Sequence, residues 1–314
     1  VALGASGAGP VPAAPEPVPG PAILRFVTFN LLHGGIFSEL TGDDEALEAR
    51  LRIAAEGLRA LDPDVVGLQE ASIGRRRGNV ARRLAERLGY HYVHVPAATR
   101  PLGSEHLRRG VAAVLGFTEG PALLSRFPIV GWQAYELPGC GRPFDVRVLV
   151  LADLETPAGR LAAVSAHTSG DPCHARAVAD VVAAHRGPLP VVVMGDFNAA
   201  DTSPAVRLLT GSGGLVDAFR HANPTARGFT DGQDVEAARA TAGARIDYVF
   251  LAPGARVPGR VVASRLVLHE PRGTGPVRWP SDHYGVLADV ALDGPAARDG
   301  ASARASGLSP RPRS

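Results

Sequence analysis

The run VVVMGDFNAA, residues 191–200, closes an apolar strand pattern with Asp196 and Asn198, two residues apart. Comparable polar groups sit at the ends of other apolar runs. Asn30 follows ILRFVTF, Glu70 ends DVVGLQE, His167 ends AAVSAH, Asp247 opens DYVFL, and Asp282 and His283 lie in WPSDHYGV. Taken singly, a strand-end Asp reads as a cap or turn residue, because its side chain bonds its own backbone. Taken together, such groups read as a site, since α/β folds place ligands beyond their strand ends. Oxygen donors suit a hard cation, Mg2+ or alternatively Mn2+, held by one or two carboxylates and substrate phosphate. With histidines present and no cysteine nucleophile in the set, the chemistry indicated is metal-assisted attack of water on a phosphate ester.

These groups need strands to hold them. Apolar, β-branched runs predict strands over 23–30, 64–70, 191–195, 244–251, 259–268 and 282–292. Four strand-like runs with short turns, at 110–117, 120–129, 142–155 and 159–168, suggest antiparallel pairing. Helices are expected over 44–61, where Leu47, Leu51, Ala54, Leu58 and Leu61 make one apolar stripe, and over 79–90, 173–186 and 203–211. The strands are too many for one open sheet. Two sheets packed face to face with helices outside accommodate them. Within VVVMGDFNAA, a period of two sets Asp196 and Asn198 on one face and Phe197 on the other, while Gly195 lets the backbone pass a ligand or a neighbour closely.

TFNLLHGG, DPDVVGLQE, AAVSAHT, VVVMGDFNA, RIDYVFL and WPSDHYGV occur in that order across residues 23–292. This series resembles the endonuclease/exonuclease/phosphatase superfamily, which includes deoxyribonuclease-like nucleases, abasic-site endonucleases, bacterial sphingomyelinases and inositol-phosphate phosphatases. GDFN with a downstream SDH is a specific pair; either alone is weak. The resemblance implies an α/β four-layer sandwich, two mixed β-sheets packed face to face and flanked by helices. It also implies roles. Glu70, with Asn30 and Asp282, would hold Mg2+. Asp196 would orient or deprotonate the attacking water, and Asn198 would bind the phosphate. His283, held by Asp247, would contact the scissile phosphate, and His167 would stabilise developing charge or protonate the leaving oxygen. Glu119 falls where deoxyribonuclease-like members pair a Glu with the first His, though a plain loop carboxylate is an equal reading. Ser72 stands where those nucleases carry an Arg, a departure that bears on the nuclease reading and leaves the hydrolytic set intact.

Of 314 residues, 45% are apolar, enough for a sizeable core, and the formal charge of +2 gives no global field toward nucleic acid or membrane. All 33 basic residues are arginine. Arg75, Arg76, Arg77, Arg82 and Arg83 follow the Glu70 strand, and Arg108 and Arg109 come later. They read as phosphate grips or as a solvated face, and no interleaved aromatics suggest base stacking. Trp132 and Tyr135 read as an ordinary hairpin before a membrane-entering one. His91 and His94 alternate on a strand and are expected to face solvent. Cys140 and Cys173 form one disulfide or remain two thiols. Residues 1–22 and 293–314, rich in Pro, Ala and Gly, read as a disordered leader and tail around a catalytic domain at 23–292. The leader favours a secreted or periplasmic protein. The resulting expectation is a monomeric, Mg2+-dependent phosphodiesterase with no protein partner, acting on nucleic acid, phospholipid or a small phosphoester. Phosphomonoesterase and sphingomyelinase-like activities are the alternatives, and a non-catalytic binding module is a third.

Overall fold

The computed structural model describes residues 22–32, 44–74, 77–97, 117–141, 146–272 and 275–292. The leader to residue 21, the tail, residues 110–116 of the expected strand, and Arg75, Arg76, Arg108 and Arg109 lie outside them.

One sheet has the order β12-β13-β1-β2-β5-β4, with β3 paired to β2. Its strands are β1 (Ala22–Asn30), β2 (Val65–Gly74), β3 (Gly78–Asn79), β4 (His91–His94), β5 (Phe117–Ser125), β12 (Arg260–Val267) and β13 (Gly285–Leu292). The other runs β10-β11-β9-β8-β7-β6. It holds β6 (Ile129–Glu136), β7 (Val148–Thr156), β8 (Gly159–His167), β9 (Val191–Asp196), β10 (Val216–Asp217) and β11 (Asp247–Ala252). The helices are α1 (Asp44–Leu61), α2 (Val80–Leu88), α3 (Pro172–Ala184), α4 (Pro204–Thr210) and α5 (Ala218–Ala222).

Strands buried on both faces supply three apolar layers. Phe26, Val65, Leu123, Val150, Val192, Met194, Val249 and Val286 fill the space between the sheets. Val27, Phe29, Val66 and Leu68 face the other way, onto Leu47, Leu51 and Leu58 of α1 and Leu84 of α2. Val164, Val193, Tyr248 and Phe250 do the same against Val178 and Val182 of α3 and Leu209 of α4. This is the expected four-layer sandwich.

The topology brings the polar strand ends together. A parallel pair needs a crossover, so both strands finish at the same edge. β1 and β2 are parallel and joined through α1, with Asn30 beside Gln69. β8 and β9 are parallel and joined through α3, with His167 beside Asp196. β11 runs antiparallel to β9, which sets its first residue, Asp247, opposite Asp196. β13 runs antiparallel to β1, so the chain enters it near Asn30.

Several details differ from the expectations. β13 begins at Gly285, so Asp282 and His283 lie on the preceding segment and do not open the strand. That segment is claimed by another partner, since Tyr284 N donates to Thr230 O at 2.7 Å. The run 120–129 divides, β5 ending at Ser125 and β6 starting at Ile129 after Pro128. Trp132 sits on the edge strand β6 and is 55% exposed, so it is not packed on the sheet. His94 does not face solvent; it is half-buried, and burial pushes its pKa down to about 4 against a smaller opposite pull from the Ala71 backbone.

Candidate active site

The site is built where the two sheets meet at that shared edge. Asn30 is fully buried, and its amide reaches across the sheets, donating to Glu70 Oε1 at 3.1 Å and to Asp196 Oδ2 at 3.0 Å. Its own oxygen accepts from Leu32 N at 3.0 Å. In this arrangement Asn30 orients two acids. Glu70 sits where the β2–β5 register shifts between Leu68 and Ala71, with a left-handed φ of 54°. An extra residue in one strand bends it and re-aims a side chain, a device found beside active sites.

Below this rim lies a buried polar bridge. Thr28 Oγ1 donates to Gln69 Oε1 at 3.2 Å, Gln69 Nε2 to Ser165 Oγ at 3.1 Å, and Ser165 Oγ to Leu68 O at 2.8 Å. Thr28 and Ser165 stand two residues before Asn30 and His167, one pleat deeper. The bridge therefore fixes the sheet spacing beneath the site with satisfied hydrogen bonds, where bare polar groups would be costly.

Asp196 is 1% exposed. Its Oδ1 accepts from Asn198 N at 2.8 Å, and its Oδ2 lies 3.6 Å from His167 Nε2 and 3.9 Å from His283 Nε2. Burial foremost, then the charge of Asp247, raises its pKa well above the carboxylate range; His283 and the donors pull the other way. Asn198 is held differently from the expected pleat. β9 stops at Asp196, and Asn198 turns into a left-handed conformation, φ 48°, around the Asp196 carboxylate. Its amide then meets His167 Nε2 at 3.1 Å and donates to Thr168 O at 2.9 Å. Phe197 anchors the turn edge-on against Tyr248 and Phe250. Gly195 is required here, because a Cβ would stand 2.4 Å from Ala166 O.

His283 Nδ1 bonds Asp247 Oδ2 at 2.9 Å. Burial alone would lower the imidazole's pKa, but the charge and hydrogen bond of Asp247, with Asp196 and Asp282, raise it to about 10. Asp247 is fully buried; Thr230 Oγ1 accepts its N–H, and its Oδ1 has no hydrogen-bond partner among the described residues.

Glu70, Glu119 and Asp282 crowd the mouth. Desolvation, then Glu70, raises Glu119 to about 8, with Arg147 opposing. Glu119 stands opposite the buried Ser72 in the β2–β5 ladder. Desolvation raises Asp282, His283 lowers it, and the charges of Glu70 and Asp231 raise it further. Two groups can be considered for a cation. Asp196, Asp247 and His283 offer ligand atoms within 4.8 Å of one another. That trio is buried and already joined by the His283–Asp247 bond, whereas Mg2+ keeps several waters. Glu70 and the one-third exposed Asp282 repel each other at an open mouth, so their donor chemistry fits a hydrated hard cation better.

Two residues at the site carry no strand-end signal. Asp231 Oδ1 lies 3.3 Å from His283 Nε2. Arg147 bears on Glu119 by charge. Asp231 precedes Gly232, a dipeptide that reads only as a turn, and Arg147 looks like any arginine at a strand entrance. Among the basic cluster, Arg77 is buried, and Arg83 pairs with Glu48 on α1, which makes these two structural.

Residues 27–283 match the profile of the Endonuclease/Exonuclease/phosphatase family. The fold is similar to that of a solved endonuclease/exonuclease/phosphatase from Beutenbergia cavernae, at 24% identity and TM-score 0.61, over 87% of this chain and 72% of that one. A mannosyl-6-phosphatase from Bacteroides thetaiotaomicron is similar at 18% identity and TM-score 0.63, over 85% and 99%. The human Nocturnin catalytic domain, solved with bound sulfate, gives 20% and 0.59, over 87% and 94%. No curated protein matches the chain in sequence.

Proposed function

Since the chain belongs to the endonuclease/exonuclease/phosphatase family, we propose that it is a metal-dependent hydrolase of phosphate esters, diesters foremost. The observation that carries the reading is the convergence of Asp196, Asn198, His167 and the Asp247–His283 pair at one rim, with Glu70 and Asp282 at its mouth. The phosphatase activity named for one structural neighbour, and the sulfate bound to another, agree with phosphate chemistry.

Glu70 and Asp282 would hold Mg2+, with Mn2+ as the substitute, and Asn30 would keep Glu70 aimed. Bound there, the ion supplies Lewis-acid polarisation of a phosphoryl oxygen. Asp196 in its deprotonated form accepts a proton from the attacking water, and the burial that raises its pKa makes it the stronger base. The water oxygen bonds to phosphorus, the bond to the leaving oxygen breaks, and that oxygen takes a proton from His167 or from solvent, while Asp196 afterwards returns its proton to water. His283, kept protonated and oriented by Asp247, donates Nε2–H to the phosphate and balances the charge that develops. Asn198 binds the phosphoryl oxygens, and His167 beside it meets the departing oxygen.

We also place the protein in an oxidising compartment, secreted or periplasmic. The Cys140–Cys173 bond supports this, since such bonds persist outside reducing cytosol.

The test is turnover of bis-p-nitrophenyl phosphate and a panel of DNA, RNA, sphingomyelin and sugar phosphates, with Mg2+ and then with chelator. Metal-dependent release from at least one ester is expected. Asp196→Ala and His283→Ala should each reduce kcat by about 100-fold or more while the protein stays folded. Wild-type rates in both variants would remove the assignment.

A further inference from the structure

Asp231 stands at the mouth of the site and has no part in the steps above. Its backbone is held on two sides by bridges to Ala244 and to His283. Its N–H donates to Ala244 O at 3.0 Å, and its carbonyl accepts from Gly243 N at 2.9 Å. The side chain keeps 35% exposure and sets Oδ1 3.3 Å from His283 Nε2. Because Asp247 takes Nδ1, Nε2–H is the one ring donor His283 has left for a phosphate oxygen. A phosphate bound there either shares that N–H with Asp231 or displaces the carboxylate from it. In both cases it lies near a negative charge whose backbone the two bridges hold beside His283.

Resting on the phosphoester-hydrolase reading, we infer that Asp231 makes the site select diesters over monoesters by charge. A diester carries one negative charge, whereas a monoester at pH 8 carries nearly two. The oxygen that is charged in a monoester is an ester oxygen in a diester. The charge common to both substrates is offset by His283 and the metal. The added charge of the monoester faces a site already lined by Asp196, Asp247 and Asp282, and Asp231 is the carboxylate nearest the donor it needs. The same repulsion acts on the product, because hydrolysis turns a diester into a monoester and so favours its departure.

Asp231→Asn keeps the side-chain shape and removes the charge; Asp231→Ser serves if the first variant fails to fold. Both are compared with wild type on bis-p-nitrophenyl phosphate and p-nitrophenyl phosphate at pH 8 with Mg2+. Inorganic phosphate binding is measured alongside by calorimetry. The ratio of monoester to diester kcat/KM should rise about tenfold or more, mainly through KM, and phosphate should bind tighter by a similar factor. An unchanged ratio with unchanged phosphate binding overturns the inference. So does an equal loss on both esters, which would leave Asp231 only a support for His283. Wild-type protein that hydrolyses neither ester counts against the hydrolase reading itself. Tighter phosphate binding by the variant would still support the role of Asp231, because that readout needs no turnover.

Discussion

At the scale of single residues, His283 is charged because Asp247, with Asp196 and Asp282, outweighs its burial. The Asp247 carboxylate, after burial, also raises Asp196. The working form needs Asp196 deprotonated and His283 protonated, so kcat/KM should follow a bell, its alkaline limb near pH 10 where His283 loses its proton. Asp247→Asn removes a charge that raises both groups. Both limbs should move to lower pH, the alkaline one toward the ordinary histidine range near 6.5, and the maximum should fall. A pH–rate profile whose limbs stay in place would show that Asp247 does not set these ionisations. The two assignments differ in how readable they were. Asp196 and Asp247 stood at the ends of apolar runs and were visible from that pattern. Asp231 was not, because 223–246 has no period to mark it and its partner lies far along the chain.

At the scale of elements, the site depends on two parallel pairs and one bulge. Helix α1 was legible from its leucine spacing, and the strands from their β-branched runs. The bulge at Glu70 was not, because DVVGLQE reads as a strand that simply ends there; β2 in fact continues to Gly74, and only the shifted pairing with β5 exposes the bulge. Likewise the chain at 282–284 reads as strand until Thr230 takes the Tyr284 N–H. Gln69 ties the bulge to the opposite sheet through Ser165 and to β1 through Thr28. Gln69→Leu fills similar volume and leaves those hydroxyls to re-pair in a dry layer. It should cost about 1–3 kcal/mol, read by urea unfolding. It should also raise the Mg2+ concentration for half-maximal activity, because Glu70 is the next residue. Unchanged stability and metal response would mean the bridge is replaceable. Gly195→Ala tests the neighbouring pair: its Cβ would meet Ala166 O at 2.4 Å. Forcing β8 and β9 apart should cost about 1–3 kcal/mol and separate His167 from Asp196.

At the scale of the whole molecule, the sandwich gives the site a rigid floor, while residues 137–141 and 146–147, which bring Arg147 to its wall, need fastening. Leu137 N donates to Arg147 O at 2.8 Å, and Cys140 is bonded to Cys173 at the start of α3. The buried His174 adds a second pin. Its Nδ1 accepts from Ser169 N at 3.2 Å, which leaves Nε2 as the protonated nitrogen that donates to Pro138 O at 2.7 Å. The sequence left the two cysteines open because pairing depends on how the α3 start meets residues 137–141, a tertiary fact. The wall matters to the chemistry through Arg147, whose charge reaches Glu119 and so the Glu70 side of the mouth. The bond closes a loop across 33 residues, so its loss should cost about 3–4 kcal/mol by chain entropy. The unfolding midpoint should drop on the order of 5–10 °C in reductant or in the Cys140→Ser/Cys173→Ser variant. Activity measured well below that lowered midpoint separates the two effects. If the wall only stabilises, kcat/KM stays at the oxidised value. If it positions Arg147, kcat/KM falls while the protein remains folded, and the variant no longer responds to reductant.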